Sequence, residues 1–254
     1  MGCWDMLKDP GDRVAIRRFG PLTLHVRRLR DEWHVAATRG VDVEEEGGPQ
    51  AASEAGLQWR RWVVVDGSGG LTLAPVMPER PIVVRPEFPI AIPPSQHAVF
   101  YVSIPVSVRV AAMPGEVLLQ EVPSVVLSKI WFGEPTAGEM CYSVVSRARR
   151  VLEDSAAQEH RAVCPVAIRN ASPRTVTLER LCVHVEHLAV YGGRGQLWTP
   201  RVDVVFQGDD QEVQLSYGSE PPAECAEAAL LTPARVPMRG GFLRRKLGGI
   251  PFLS

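Results

Sequence analysis

The chain has 254 residues against the usual ~150 of one domain, so it forms one large β-domain or two smaller ones and has the length to bury a sizeable core. Its 22 Gly, 22 Pro and 45% hydrophobic residues exclude a long-helix bundle, a coiled coil and a disordered chain. The 28 basic and 29 acidic residues nearly cancel, so no overall field draws the chain toward nucleic acid or an anionic membrane.

Of the hydrophobic residues 34 are valine, whose branched Cβ suits a pleated surface better than a helix. In chain order, Leu22, Leu24 and Val26 alternate with Thr23, His25 and Arg27, the period of a strand with one wet face. A turn at Arg30-Asp31-Glu32 leads to a second strand carrying Trp33, Val35 and Ala37, and residues 57–65 make a third. Between the second and third, residues 42–56 hold Glu44-Glu45-Glu46 and Gly47-Gly48-Pro49, the composition of a mobile acidic loop. On the third strand, Trp59 and Arg61 project to one face and Arg60 and Trp62 to the other. This predicts one tryptophan in the core and one under an arginine, not a patch for single strands.

The glycines at 67–70 lack the spacing of a phosphate loop and run into Leu71-Thr72-Leu73, a strand. Prolines then recur from Pro75 to Pro105, more than central strands can spare as lost donors, so edge strands and a change of sheet at Pro105 are expected. Residues 128–150 are the least β-like part: residues 129–139 show no period, and residues 147–154 read either as a strand end and turn or as one short helix. Residues 162–181 read as strand, Asn-Ser-Pro turn and strand, a hairpin of an immunoglobulin-like sandwich, and strands continue through 182–191, 197–206 and 212–217. Residues 238–254 interleave Arg239, Arg244, Arg245 and Lys246 with Phe242, Leu243 and Leu247 and carry no acid, which reads as an attachment tail.

The expected fold is therefore all-β: two antiparallel, immunoglobulin-like β-sandwich halves with few or no helices. The N-terminal half spans 1–127 with the acidic loop 42–56, and the C-terminal half spans 128–254 with the basic tail 238–254. The five cysteines are odd in number and form no C-x-x-C pair, so reduced and mostly buried thiols are the default. The charged start of the chain lacks the apolar stretch of a secretion signal, and the expected location is the cytoplasm.

Several segments resemble a known family. They are Arg85-Pro-Glu-Phe-Pro-Ile-Ala-Ile-Pro-Pro94, Ile104-Pro-Val-Ser-Val108, Leu127-Ser-Lys-Ile-Trp-Phe-Gly-Glu-Pro135 with Gly138-Glu139, and Leu197-Trp-Thr199. Together they are similar to the prokaryotic family catalogued as domain of unknown function 432, over most of the chain from about Trp59 onward. The resemblance brings no reaction, cofactor or catalytic residue. It implies a β-rich soluble protein, sometimes encoded beside small mechanosensitive channels.

Candidate chemistry is sparse. Cys182, His184, Glu186 and His187 form the densest polar run, but on a strand His187 faces away from the other three, and no metal set is assigned. Cys141, Cys164 and Cys182 with His160 or His184 lack any nucleophile signature, and Glu134 with Glu139 is a pair of carboxylates whose loop fixes no distance. The best binding candidate is the segment Trp131-Phe132-Gly133-Glu134, read first as a plug between sheets and second as an exposed contact.

The expected function is a non-enzymatic interaction module that meets a protein partner, a mechanosensitive channel being the one the resemblance implies. Its expected binding residues are Trp131, Phe132, Glu134, Arg147, Arg244 and Arg245, with no catalytic residue, metal or cofactor and with peripheral membrane contact open to residues 238–254. The alternative is a small-ligand or carbohydrate-binding sandwich, including a hydrolase, that joins Trp131 to Glu134, Arg147 and His184 in one pocket.

Overall fold

Residues that alternate apolar and polar side chains can hide one face of a strand and wet the other, as His97–Pro105 and Val202–Gln207 do. The computed structural model describes residues 4–40, 56–64, 69–86, 88–144, 148–152, 158–207, 212–238 and 243–246, the last four by backbone alone. Among them are 22 strands, and the helical elements are three-residue 3-10 turns at Val185–His187 and Ala223–Cys225. The protein is all-β, as its valines and turns predict. No helix of the described residues is long and apolar enough to cross a membrane.

The chain divides into two compact units. The first holds β1 (Met6–Leu7), β2 (Ala15–Phe19), β3 (Leu22–Leu29), β4 (Glu32–Arg39), β5 (Arg60–Val63) and β6 (Gly70–Val76), then β10 (Ser107–Met113) and β11 (Val117–Pro123). They form two four-stranded sheets, β2-β3-β4-β5 and β1-β6-β10-β11. Leu22, Leu24, Val26, Trp33 and Val35 of one sheet share a single apolar core with Leu71, Leu73, Val108 and Val110 of the other. Trp62 packs against that core, while the Arg27 guanidinium covers the Trp59 ring at 4.5 Å, the division of labour expected for the two tryptophans. Residues 41–55, which contain nearly all of the acidic loop, lie outside the described residues.

The second unit takes β7 (Ile82–Val84), β8 (Ile90–Ile92), β9 (His97–Pro105), β12 (Ser128–Phe132), β13 (Glu139–Ser143), β14 (Arg161–Asn170), β15 (Val176–Leu178) and β16 (Leu181–Val183). It continues with β17 (Val190–Gly193), β18 (Gln196–Trp198), β19 (Val202–Gln207), β20 (Glu212–Tyr217), β21 (Ala229–Thr232) and β22 (Leu243–Lys246). One sheet runs β21-β17-β18-β14-β19-β20-β22 with β9 on the other edge of β14, a second runs β12-β13-β7-β16, and β8 pairs with β15.

Several expectations are corrected here. The units do not part at 127/128, because β7, β8 and β9 pair with β13 and β16, with β15 and with β14, and so residues 77–105 belong with the C-terminal strands. The chain does change sheets at Pro105, after which Ser107 pairs with Val76 and Pro123. Strand order is not wholly antiparallel: β14 runs parallel to β18 and β19, and β13 parallel to β7. Those pairings depart from the all-antiparallel order of an immunoglobulin domain.

The predicted hairpin at 162–181 does not form, since β14 pairs with β9, β18 and β19 while β15 pairs with β8. The reason lies in buried Asn170. Its amide donates to the carbonyls of Ile92 (2.8 Å) and Arg174 (2.7 Å), and its Oδ1 accepts from the backbone N–H and hydroxyl of Ser172, which steers the turn out of the sheet. Residues 129–139, read as aperiodic, lie within the hairpin β12–β13. Adjacent aromatics on opposite strand faces disguise its period of two.

A thiol, carboxylate and imidazole cluster beneath the hairpin

Opposite residues of an antiparallel pair project to the same face. In β12–β13, Trp131 lies opposite Met140, while the neighbouring pairs Ile130 with Cys141 and Phe132 with Glu139 point to the other face. Trp131 and Met140 are 47% and 37% exposed, whereas Phe132 and Cys141 are buried. The expected plug is therefore split between two residues. Phe132 fills the interior, with the Arg180 guanidinium 5.8 Å from its ring centre, and drops out as a contact residue. Trp131 stands in solvent.

That tryptophan is nonetheless fixed. Its indole Nε1 donates to the Glu134 carbonyl at 3.1 Å, closing the loop beneath it. Gly138 sits so close that a Cβ there would strike the indole Nε1 and the carbonyls of Phe132 and Glu134. Gly133 takes a φ of +106°, a conformation that L side chains rarely adopt. The Glu134 side chain is exposed.

On the inner face the hairpin delivers Glu139 and Cys141 to residues from β16. Strand β7 lies between, with Val83 paired to both Ser143 and Cys182. The Cys141 and Cys182 sulfurs are 3.4 Å apart and both buried, and the Cys182 Sγ lies 3.8 Å from Glu139 Oε1. After Val183 the strand gives way to the 3-10 turn, so the predicted run of strand from 182 to 191 is broken. His184, at that break, is buried, and its Nε2 is 3.1 Å from each oxygen of the Glu139 carboxylate.

The protonation pattern follows from the partners. The Tyr217 hydroxyl accepts the His184 backbone N–H at 3.0 Å and keeps its own hydrogen for His184 Nδ1 at 3.3 Å. Burial, with smaller contributions from Cys182, Glu186 and Cys164, drives the Tyr217 phenol well above its ordinary range against the lowering effect of that N–H, so the hydroxyl stays protonated. With Nδ1 accepting from Tyr217, His184 Nε2 is the nitrogen that donates to the Glu139 carboxylate. The chain of donors runs Tyr217 to His184 to Glu139 and ends beside two thiols. Cys164, fully enclosed, is pushed by burial to about 12, slightly offset by a hydrogen bond with Thr199.

The remaining predicted residues fall elsewhere. His187 packs its ring 5.3 Å from Tyr217 and donates from Nδ1 to the Val236 carbonyl at 2.7 Å. A carboxylate oxygen of Glu186, Oε2, is buried with no hydrogen-bond partner among the described residues. Arg147 lies outside the described residues, and the backbone at Arg244 and Arg245 joins β22 to β20 on its own unit, opposite Gln214 and Val213. Trp131 projects outward from the hairpin, whereas His184 reaches Glu139 on its inner face. The sequence reading missed the pairing of Glu139 and Cys141 with Cys182 and His184. The only local signal was an acid and a thiol two residues apart, the spacing that aims both to one side of a strand.

The fold and this cluster define an all-β protein of two units, the second holding a buried thiol, carboxylate and imidazole group under a hairpin with an exposed tryptophan. Residues 4–250 match the family model described as a protein of unknown function, DUF432, and the chain belongs to that family. Comparison with curated proteins finds no match, and comparison with solved structures finds none.

Proposed function

We propose that the protein is a non-enzymatic interaction module that seats a protein partner on the outer face of the β12–β13 hairpin, with Trp131 as the anchor. One observation carries this reading: Trp131 is 47% exposed yet held by its own loop through the bond to Glu134 and the bare Gly138 beneath it. An exposed aromatic that flexes loses rotamer freedom on binding, whereas one already fixed gives up little, which is the character of an interface hot spot. Met140 extends the apolar face across the hairpin, and exposed Lys129 and Glu134 give it a polar rim. Arg147, Arg244 and Arg245 are the expected additional charges, and a mechanosensitive channel is the partner that the family resemblance suggests.

The test compares partner recovery from extracts of the native host, with and without detergent, using the wild-type chain, Trp131→Ala and Phe88→Ala. Phe88 is a still more exposed aromatic of the same unit that belongs to neither hairpin strand. Support is one protein recovered by the wild type and Phe88→Ala and depleted at least ~10-fold by Trp131→Ala, with unchanged thermal unfolding. Equal recovery by all three chains refutes the reading.

A further inference from the structure

Three groups able to ligate a metal, Glu139, Cys141 and Cys182, bring their ligating atoms within 4.8 Å of one another. We propose that they bind a borderline-soft divalent cation of the zinc class, with His184 and Tyr217 positioning the carboxylate. This inference stands apart from the reading of Trp131, on the opposite face of the same hairpin.

The donor set selects the ion. Two sulfurs exclude hard cations such as magnesium and calcium, which take oxygen ligands, and a mixed sulfur and carboxylate set suits tetrahedral zinc. With Zn–S near 2.3 Å, a tetrahedral site puts its two sulfurs about 3.8 Å apart. The observed 3.4 Å between Cys141 and Cys182 and 3.8 Å from Cys182 to Glu139 are within small side-chain adjustments of that geometry. Glu139 keeps a side-chain exposure of 22% against 4% for His184, so the cation and a water in the fourth position enter from the Glu139 side.

Charge makes the same argument. A divalent ion held by two thiolates and one carboxylate leaves only one net negative charge among its three protein ligands. Binding therefore displaces both thiol protons to solvent. His184 donates to Glu139 from Nε2 and is itself fixed by Tyr217 at Nδ1, the arrangement by which groups behind a ligand hold it in register. All three ligands come from strands flanking β7, so the ion bridges β13 to β16 across it.

The experiment uses the full-length chain, reduced and stripped with a chelator, then titrated with Co²⁺ as a spectroscopic probe and competed with Zn²⁺. The expected result is one equivalent of Co²⁺ bearing a thiolate-to-metal absorption band and tetrahedral ligand-field bands, all removed by Zn²⁺. Cys141→Ser and Cys182→Ser lose the band, Cys225→Ser keeps it, and His184→Gln weakens affinity by roughly 10–100-fold while leaving the spectrum in place. A readout free of variants is thiol alkylation followed by mass spectrometry. Zn²⁺ is expected to slow labelling of Cys141 and Cys182 at least ~10-fold relative to buried Cys164 and Cys225, since coordinated thiolates are withheld from the reagent. Absence of the thiolate band in the wild type, or labelling of Cys141 and Cys182 that Zn²⁺ leaves unchanged relative to Cys164 and Cys225, overturns the site. So does a reduced chain that binds no metal but readily closes a Cys141–Cys182 disulfide with a mild oxidant.

Discussion

Each unit buries a histidine against a carboxylate, and the two pairs are built in opposite ways. In the first unit, His34 Nε2 meets Glu32 at 2.9 Å from two positions along the same strand, and its Nδ1 is buried without a hydrogen bond among the described residues. In the second, His184 uses both ring nitrogens and draws its partners from β13 and β20. The first pair is an accident of strand period that an apolar core tolerates. The second is assembled only when distant strands come together, and it adds two sulfurs. A polar group buried at the cost of several organised partners points to use, whereas one left half-satisfied points to tolerance.

The contrast extends to pH, where the largest effect is expected. All four tyrosines and the described cysteines lie in the second unit, and burial raises both Cys164, from its ordinary 9.0 to about 12, and Tyr217. A folded value above the unfolded one means stability fully present below pH ~9 and lost as pH rises toward ~12, by up to tenfold in the folding equilibrium per pH unit for each such proton. In urea titrations followed by fluorotryptophan NMR, the transition at Trp198 should move to lower urea between pH 8 and 11 while that at Trp33 holds, and Cys164→Ala should recover part of the loss. Equal movement of both signals would break the comparison.

A smaller effect separates the two histidines. Tyr217→Phe strands the His184 backbone N–H and Nδ1 in the interior and should cost about 1–3 kcal/mol in chemical denaturation. Glu32→Gln touches a pair whose carboxylate is 31% exposed and should cost less than about 1 kcal/mol. Comparable losses would show the second pair to be as incidental as the first.

Much of the first unit was legible because its signals are local. Leu22, Leu24 and Val26 announce β3, the turn at Arg30 announces β4, and Trp59 and Trp62 declare their faces by spacing alone. The prolines around Pro105 likewise marked where the chain leaves one sheet for another. The cluster was not legible, because Glu139 and Cys141 meet Cys182 and His184 only through β7, a strand remote in sequence from both. The hairpin that carries it was hidden by Trp131 and Phe132, side by side in sequence and opposed in space. Asn170 misled for a related reason: it reads as an ordinary turn residue, and only its bond to Ile92 reveals that the chain is being sent elsewhere.

The order in which the strands find their partners bears on how the molecule is made. A ribosome releasing this chain supplies everything the first unit needs once residue 126 is out, since its strands come from segments 1–76 and 106–126. β9, already synthesised by then, lacks its partner strand until β14 has emerged to residue 170. Until then an apolar nine-residue edge waits unpaired, the kind of surface that chaperones shield and that neighbouring nascent chains can capture. The same interleaving means that truncation after residue 127 leaves β7, β8 and β9 orphaned, and that excising the first unit requires removing an internal segment as well as the N-terminal one.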